Sequence, residues 1–362
     1  MQGRGSLAGT PEEAMRLAWV DVAKGLCIVL VVMMHATLGT GEAMGREGFM
    51  HPVVAFARPF RIPDFFLLSG LFLGRVIDRD WRLFADRRLV HFAYFYGLWV
   101  LIQSAAKYGQ IVDGGGPEAF LAHLGQALVE PYSTLWFIYL LAVFSVVTKL
   151  VRPVPPALLL GLAALLQVVP VATPSYLAEE FCARYVYFLG GYLLAARIFA
   201  LADLARARPG LALGALGLWA GLNGWLAFAP SPLPGFPTLA SLPGISLALG
   251  TAGALAIVAA AALLTRAGGA LTEALRACGR RSIVIYLAFF LPMAATRTLL
   301  VKTGLIPDAG LVSLIVTASA VVLPLLFERA IRGTALDILF RRPAALHIAP
   351  APRAAAPALG AA

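Results

Sequence analysis

Long apolar runs, separated by short charged or Pro/Gly-rich breaks, dominate the 362-residue chain. Within each run the apolar residues fill whole windows instead of one helical stripe, the pattern of helices covered by lipid or protein on every side. A bilayer core of about 30 Å needs about 20 apolar residues per helical crossing. The breaks then predict about ten spans, near 19–38, 60–77, 89–106, 135–151, 156–173, 182–200, 210–229, 244–265, 281–300 and 309–331. Pro59 and Pro63 interrupt the start of the second run, which predicts a bent or re-entrant segment there. Residues 117–128 are short and amphipathic and read as interfacial. The proline-rich, uncharged stretch 230–243 reads as a loop. The expected organisation is a polar segment 1–16, a membrane domain 17–335, and a tail 336–362 that is rich in Ala and Pro from Pro343 onward and expected to be disordered. No internal repeat is visible.

Composition narrows this further. The chain is 60% apolar and 13% charged, with a mean hydropathy of +0.82, whereas soluble domains carry about 25% charge. That excludes an ordinary soluble domain, a coiled coil and a disulfide scaffold. The expected class is all-α, a polytopic helical membrane protein with its helices in a bundle. Cys27, Cys182 and Cys278 are few, widely spaced and set in or beside apolar runs, so they read as small buried residues and not as a disulfide or zinc framework. The first apolar run lacks a small-residue cleavage site after it and reads as an uncleaved span.

A net charge of +10 would suggest nucleic acid in a soluble protein. Here it follows topology. With ten spans and the N-terminus inside, 21 of the 29 Lys and Arg residues fall on the inner side and 7 on the outer, Lys24 lying within a span. This bias predicts that both termini face the cytoplasm and that no nucleic acid is bound.

Ionisable groups at membrane depth are costly and mark functional sites by default. The first span holds Asp21, Lys24 and His35. Lys24 and His35 are eleven residues apart, so at about 100° and 1.5 Å per residue they share a helix face, roughly 16 Å apart along the axis. Asp21, three residues before Lys24, is placed to pair with it. The alternative reading is Lys24 as a snorkelling interfacial cation and His35 as a bond to a neighbouring helix. Otherwise His35, with an unperturbed pKa near 6.5, suits a general base that takes a proton from a hydroxyl. A second cluster, Arg61, Asp64, Ser69 and Gly70, opens the second run; Gly70 permits close helix approach and Ser69 a bond across the interface. Arg61 and Asp64 also fit a plain interfacial ion pair. The Arg-rich segment 78–91 reflects the inner-side bias in part, but Arg87, Arg88 and His91 open a span and could dock a phosphate-bearing donor.

These residues resemble the acyltransferase 3 family of bacterial membrane proteins. The family's first span carries Arg, ten residues, then His; here Lys24 and His35 hold that spacing, preceded by Asp21. A second signature ending F-F-x-x-S-G stands as Phe65 to Gly70, an Arg-rich segment as Arg87-Arg88-Leu89, and an L-W-F-L-Y segment as Leu135 to Tyr139. A late G-x-x-S-L-x-I-Y segment is similar to Gly279 to Tyr286. The five occur in order and cover about residues 17–330. The chain departs from the family's pattern at Lys24 (usually Arg), at Phe289 (often His), at Arg61 (often His) and at Tyr139–Leu140 (a Glu neighbourhood in some members).

The resemblance implies acyl transfer to a hydroxyl of a cell-surface or periplasmic carbohydrate or glycolipid at the bacterial inner membrane. The co-substrate is then acyl-CoA, with no tightly bound cofactor and no metal. Donor contacts are expected from Arg87, Arg88, Lys24 and His91, and acceptor-side contacts from Arg58, Arg61, Asp64, Ser69, Trp136 and Tyr286. Catalysis falls to His35 with Asp21 and Lys24, the His acting as base or as acyl-carrying nucleophile. The rival reading is a secondary transporter or glycolipid flippase that uses the same polar cluster to relay protons or bind an anion.

Overall fold

The computed structural model describes residues 11–113 and 115–349. Segment 1–10 and the tail beyond residue 349, parts of the predicted terminal segments, lie outside the described residues. Among the described residues the chain is helical without strands, apart from one bridge between Pro230 and Thr238 in the proline-rich loop. All ten predicted apolar runs are helical, but not all are long enough to cross a bilayer. Six stretches have the length and apolarity to span, and two bent helix pairs bring the number to eight. By length and composition this is fewer than the expected ten or so, while the polytopic helical class is as expected.

The two shortfalls have visible causes. In the second run, Pro63 occupies the first turn of an eight-residue helix, Pro63–Gly70, which stops well short of a crossing. The fifth run folds as the thirteen-residue helix Pro156–Val168, opened by the prolines before it and ended by extended backbone at Val169. The two bent pairs are Tyr176–Leu193 with Ala195–Ala207, at 75°, and Ser282–Ala288 with Phe290–Thr303, at 53°. The predicted interfacial segment 117–128 lies in the helix Gly116–Val129, which runs through a short turn into Trp136–Leu150 to make one apolar stretch of 35 residues.

The first helix, Pro11–Met44, is the organising element. It packs on the helices Ala270–Arg280, Ala309–Ile331 and Ile245–Ala267 and on the short Pro63–Gly70 helix. Without a hydrophobic driving force between helices in lipid, such contacts depend on close backbone approach at small residues. Gly279 meets the backbone of Asp21, and Gly25 meets that of Leu275, so the two helices touch main chain to main chain beside Lys24. Gly70 likewise sits against the Phe188 carbonyl, the close approach its position in the sequence suggested. Ser69 does not bond across that interface; its hydroxyl donates to the Phe65 carbonyl of its own helix at 2.8 Å.

A valine at Gly279 would collide with the Asp21 carbonyl, and overpacking of this kind costs about 1–3 kcal/mol. Gly279→Val is therefore expected to lower the unfolding temperature in detergent by several degrees, whereas Gly217→Val, at a glycine facing open space, leaves it near the parent value. Equal shifts in the two variants would assign the effect to helix propensity alone.

The end of the chain departs from the expected disorder over 336–349. Trp99 Nε1 donates to the Leu339 carbonyl at 3.0 Å and the Tyr94 hydroxyl to that of Ile338 at 2.8 Å. Phe340 is buried between Trp99 and Phe327. Arg342 then forms an ion pair with Asp86 at 2.9 Å, the two side chains only 3% and 2% exposed. A segment whose Ala and Pro content suggests disorder is thus held by a few aromatic and charged residues with specific partners.

Candidate active site

The short Pro63–Gly70 helix creates the site by stopping early. Enclosed by the first helix, Tyr176–Leu193 and Ile245–Ala267, it ends at Gly70 and presents the negative end of its dipole to the turn that follows. Cations gather there. Arg88 Nη2 donates to the Phe72 carbonyl at 3.3 Å, while Lys24 Nζ and the Arg75 guanidinium sit over the Phe72 ring, 5.5 and 4.6 Å from its centre. Arg88 reaches this point from a π-helical turn, Asp86–Val90, a local widening frequent at functional sites.

Two cavities of similar size lie back to back in the bundle. The first, about 260 Å³, has Lys24, Arg88, Ser69 and Ser282 as its main polar groups, set among Phe72, Phe92 and other apolar residues. The second, about 250 Å³, holds His35, Arg61, Arg184 and Thr134 with the rings of Trp136, Tyr176 and Phe289. Phe65, Phe137 and Tyr286 line both and divide them. The dividing rings pack on one another: Phe65 and Phe137 lie 4.7 Å apart edge to face, and Phe137 and Tyr286 5.7 Å apart. The Tyr286 hydroxyl donates to the Thr134 carbonyl, which holds its ring in the partition.

The helical register of Lys24 and His35 therefore opens onto two compartments that meet at an aromatic wall. His35 is half-buried, and its ring lies 5.5 Å from that of Phe289. Phe289 is the residue at the 53° bend between Ser282–Ala288 and Phe290–Thr303, so the bend brings its ring against the imidazole.

The other candidates separate. Asp21 does not serve Lys24 alone; it is also within electrostatic reach of Arg276 and Arg280 on the helix packed against it. Arg87 is exposed and lines neither cavity, unlike Arg88 beside it. His91 packs edge-on against Phe92 and Phe95 and lies outside both cavities. Arg58 is exposed and lines neither. Asp64 is fully buried and faces the Cys27 thiol, yet neither carboxyl oxygen has a hydrogen-bond partner of normal geometry. Ser69, grouped by sequence with the acceptor side, stands in the Lys24 cavity instead. Trp136 does line the His35 cavity, and Tyr286 lines both.

Sequence reading missed Arg184, Tyr176, Thr134 and Phe289 in the His35 cavity. Arg184 carried a signal, a cation close to an apolar run. It stands at the very edge of the predicted run 182–200, where a cation reads as one of the outer-side charges, whereas the helix already begins at Tyr176 and carries Arg184 into the bundle.

Residues 17–329 match the family described as the acyltransferase domain of acyltransferase 3 proteins. The chain is also similar to an inner membrane protein of Escherichia coli K12, YcfT, with 26% identity over 156 residues. That match covers 36% of this chain and 43% of YcfT, less than half of the relative's length. No solved structure matches the chain. With the family matched across nearly the whole helical bundle, the chain belongs to the acyltransferase 3 family of membrane proteins.

Proposed function

We propose that the protein moves an acyl group from acyl-CoA, taken up at the cytoplasmic face of the bacterial inner membrane, to a hydroxyl of a carbohydrate or glycolipid on the opposite side. The observation that carries this reading is the pair of cavities on one helix face, one with Lys24 and Arg88, the other with His35. The Lys and Arg bias of the sequence supports placing the Lys24 end inside, and the similarity to an inner membrane protein supports the compartment.

In this reading the donor's phosphates meet Lys24 and Arg88, and its thioester extends about 16 Å along the first helix toward the Phe65–Phe137–Tyr286 partition. The acceptor hydroxyl approaches from the other cavity. His35 removes its proton as the oxygen attacks the thioester carbonyl. The tetrahedral intermediate then collapses, the C–S bond breaks, and the thiolate leaves as free CoA with the proton returned by the imidazolium. The apolar walls keep bulk water from competing as the nucleophile.

Arg88 and Arg87 provide a local test. Loss of a charge-assisted hydrogen bond is worth about 1.5–3 kcal/mol, so Arg88→Gln should raise the KM for acyl-CoA roughly ten- to hundredfold with a smaller change in kcat. Arg87→Gln, at the exposed neighbour, should leave both near parental values. CoA release by protein in lipid nanodiscs measures this, and equal KM shifts in the two variants would assign both arginines to topology. Mass spectrometry of surface glycans from cells with and without the gene should show a difference of one acyl group; identical glycans, with no CoA release in vitro, would favour transport.

A further inference from the structure

The His35 cavity carries two guanidinium groups, Arg61 and Arg184, and no carboxylate among its lining residues. Their surroundings differ. Arg184 is paired with Glu180 one turn away on the same helix, Nε to Oε2 3.0 Å, both side chains half-buried. Arg61 has no such partner among the described residues. Its Nε is buried without a hydrogen-bond acceptor, and its Nη1 makes only a 3.4 Å contact with the Val54 carbonyl. The charged groups that act on it are Arg58 and Arg184, of like sign, and Asp64. Asp64 does not line the cavity, and neither of its carboxyl oxygens is hydrogen-bonded to Arg61.

An unpaired guanidinium beside apolar walls is costly, and it is offset when an anion supplies the missing acceptors. Guanidinium presents its donors in a planar fork that matches both carboxylate and phosphate oxygens. Around it, Trp136 and Tyr176 stand edge to face, 6.2 Å apart, and offer ring surface to the C–H face of a sugar.

We propose that the acceptor enters the His35 cavity through an oxyanion, a carboxylate or phosphate carried by the glycan, which Arg61 binds directly and Arg184 supports. The subsite specifies an acidic acceptor: a uronic-acid sugar or a phosphate-bearing sugar or glycolipid. The group to be acylated remains a hydroxyl, which the anion anchors beside His35. The acceptor role rests on the acyl-transfer reading; anion binding by the cavity does not.

The test uses the full chain in lipid nanodiscs and three probes: a disaccharide ending in glucuronate, its carboxyl-reduced counterpart ending in glucose, and the corresponding glucose 6-phosphate disaccharide. Isothermal titration calorimetry should show an acidic probe binding roughly tenfold or more tightly than the neutral one, with the advantage shrinking as salt rises. Whichever acidic probe binds more tightly identifies the source of the anion. Arg61→Gln should remove the advantage. Glu180→Gln, which frees Arg184, should strengthen binding of the acidic probe severalfold and leave the neutral one unchanged, a gain that misfolding cannot imitate. Charge-blind binding, absence of binding by all three probes, or an Arg61→Gln variant that weakens charged and neutral probes alike, overturns the proposal. CoA release from acyl-CoA in the same preparations separates the two readings. Charge-selective binding without CoA release keeps the anion subsite and removes acyl transfer; CoA release with charge-blind binding does the reverse.

Discussion

His35→Ala is expected to lower acyl transfer by a factor of about 10²–10⁴, the range contributed by a positioned general base, while the protein still inserts and folds. The imidazole is half-buried in a cavity wall, and its described ring contact is with Phe289. Truncation therefore removes a reactive group and modest packing, not a structural hydrogen-bond network. The first helix is held to the bundle elsewhere, through Gly25 and Gly279. CoA release in nanodiscs, with unfolding temperature recorded on the same sample, is the measurement. Transfer within a few-fold of the parent, in a protein of unchanged stability, would remove His35 from the chemistry. His35→Gln sharpens the result: it retains polarity and bulk but cannot take up the proton, and so should be as inactive as the alanine variant.

Arg342→Ala is expected to destabilise the 335–349 segment by about 3 kcal/mol, the low end for breaking a buried pair, because the pair sits near the end of the bundle. In the intact protein Arg342 reaches Asp86 twice, Nη2 to Oδ2 at 2.9 Å and Nη1 to the main-chain carbonyl at 2.8 Å. Asp86 Oδ1 in turn accepts the Ile348 amide at 2.8 Å. Removing the guanidinium leaves the carboxylate with that amide and with His347, whose Nδ1 lies 3.5 Å from Oδ2, in place of a permanent cation. Hydrogen exchange should then accelerate over 335–349. Asp86 opens the π-helical turn that carries Arg88, so the KM for acyl-CoA should rise with it. Replacing both partners, Asp86→Leu with Arg342→Leu, should recover much of the stability, since no charge is then stranded. Unchanged exchange in Arg342→Ala would show that the aromatic contacts of Leu339 and Phe340 suffice to hold the segment.

Legibility in the sequence followed the range of the interaction. The lipid-covered helices were readable because burying a helix in hydrocarbon depends on the composition of about 20 consecutive residues. The length of a helix was less so: Pro63–Gly70 and Pro156–Val168 fall short because of proline positions and local backbone, which a count of apolar residues does not weigh. At the site, Lys24 and His35 were found by helical period alone. Arg184 escapes such a reading because it stands at the edge of the predicted run 182–200, whereas the helix begins at Tyr176 and places it well inside. Ser69 lies in the Lys24 cavity, apart from Arg61 and Trp136 with which the sequence groups it, since nothing within its own segment says which cavity the short helix turns it toward.

The sequence by itself determined that this is a helical membrane protein, that it resembles the acyltransferase 3 family, and that a cation and a histidine share one face of its first helix. The first and the last follow from spacing along the chain, since backbone hydrogen bonding fixes the helical period and lipid as solvent fixes the composition; the resemblance rests on five short motifs in order. Only the tertiary structure decided that Arg88 and not Arg87 joins Lys24, that Phe65, Phe137 and Tyr286 divide two cavities, and that Arg342 is tied to Asp86. Those features are made by residues on separate helices, far apart in the chain. Which of them meet is set by how closely the backbones pack at a few glycines and where short helices stop, and neither is encoded in any single segment.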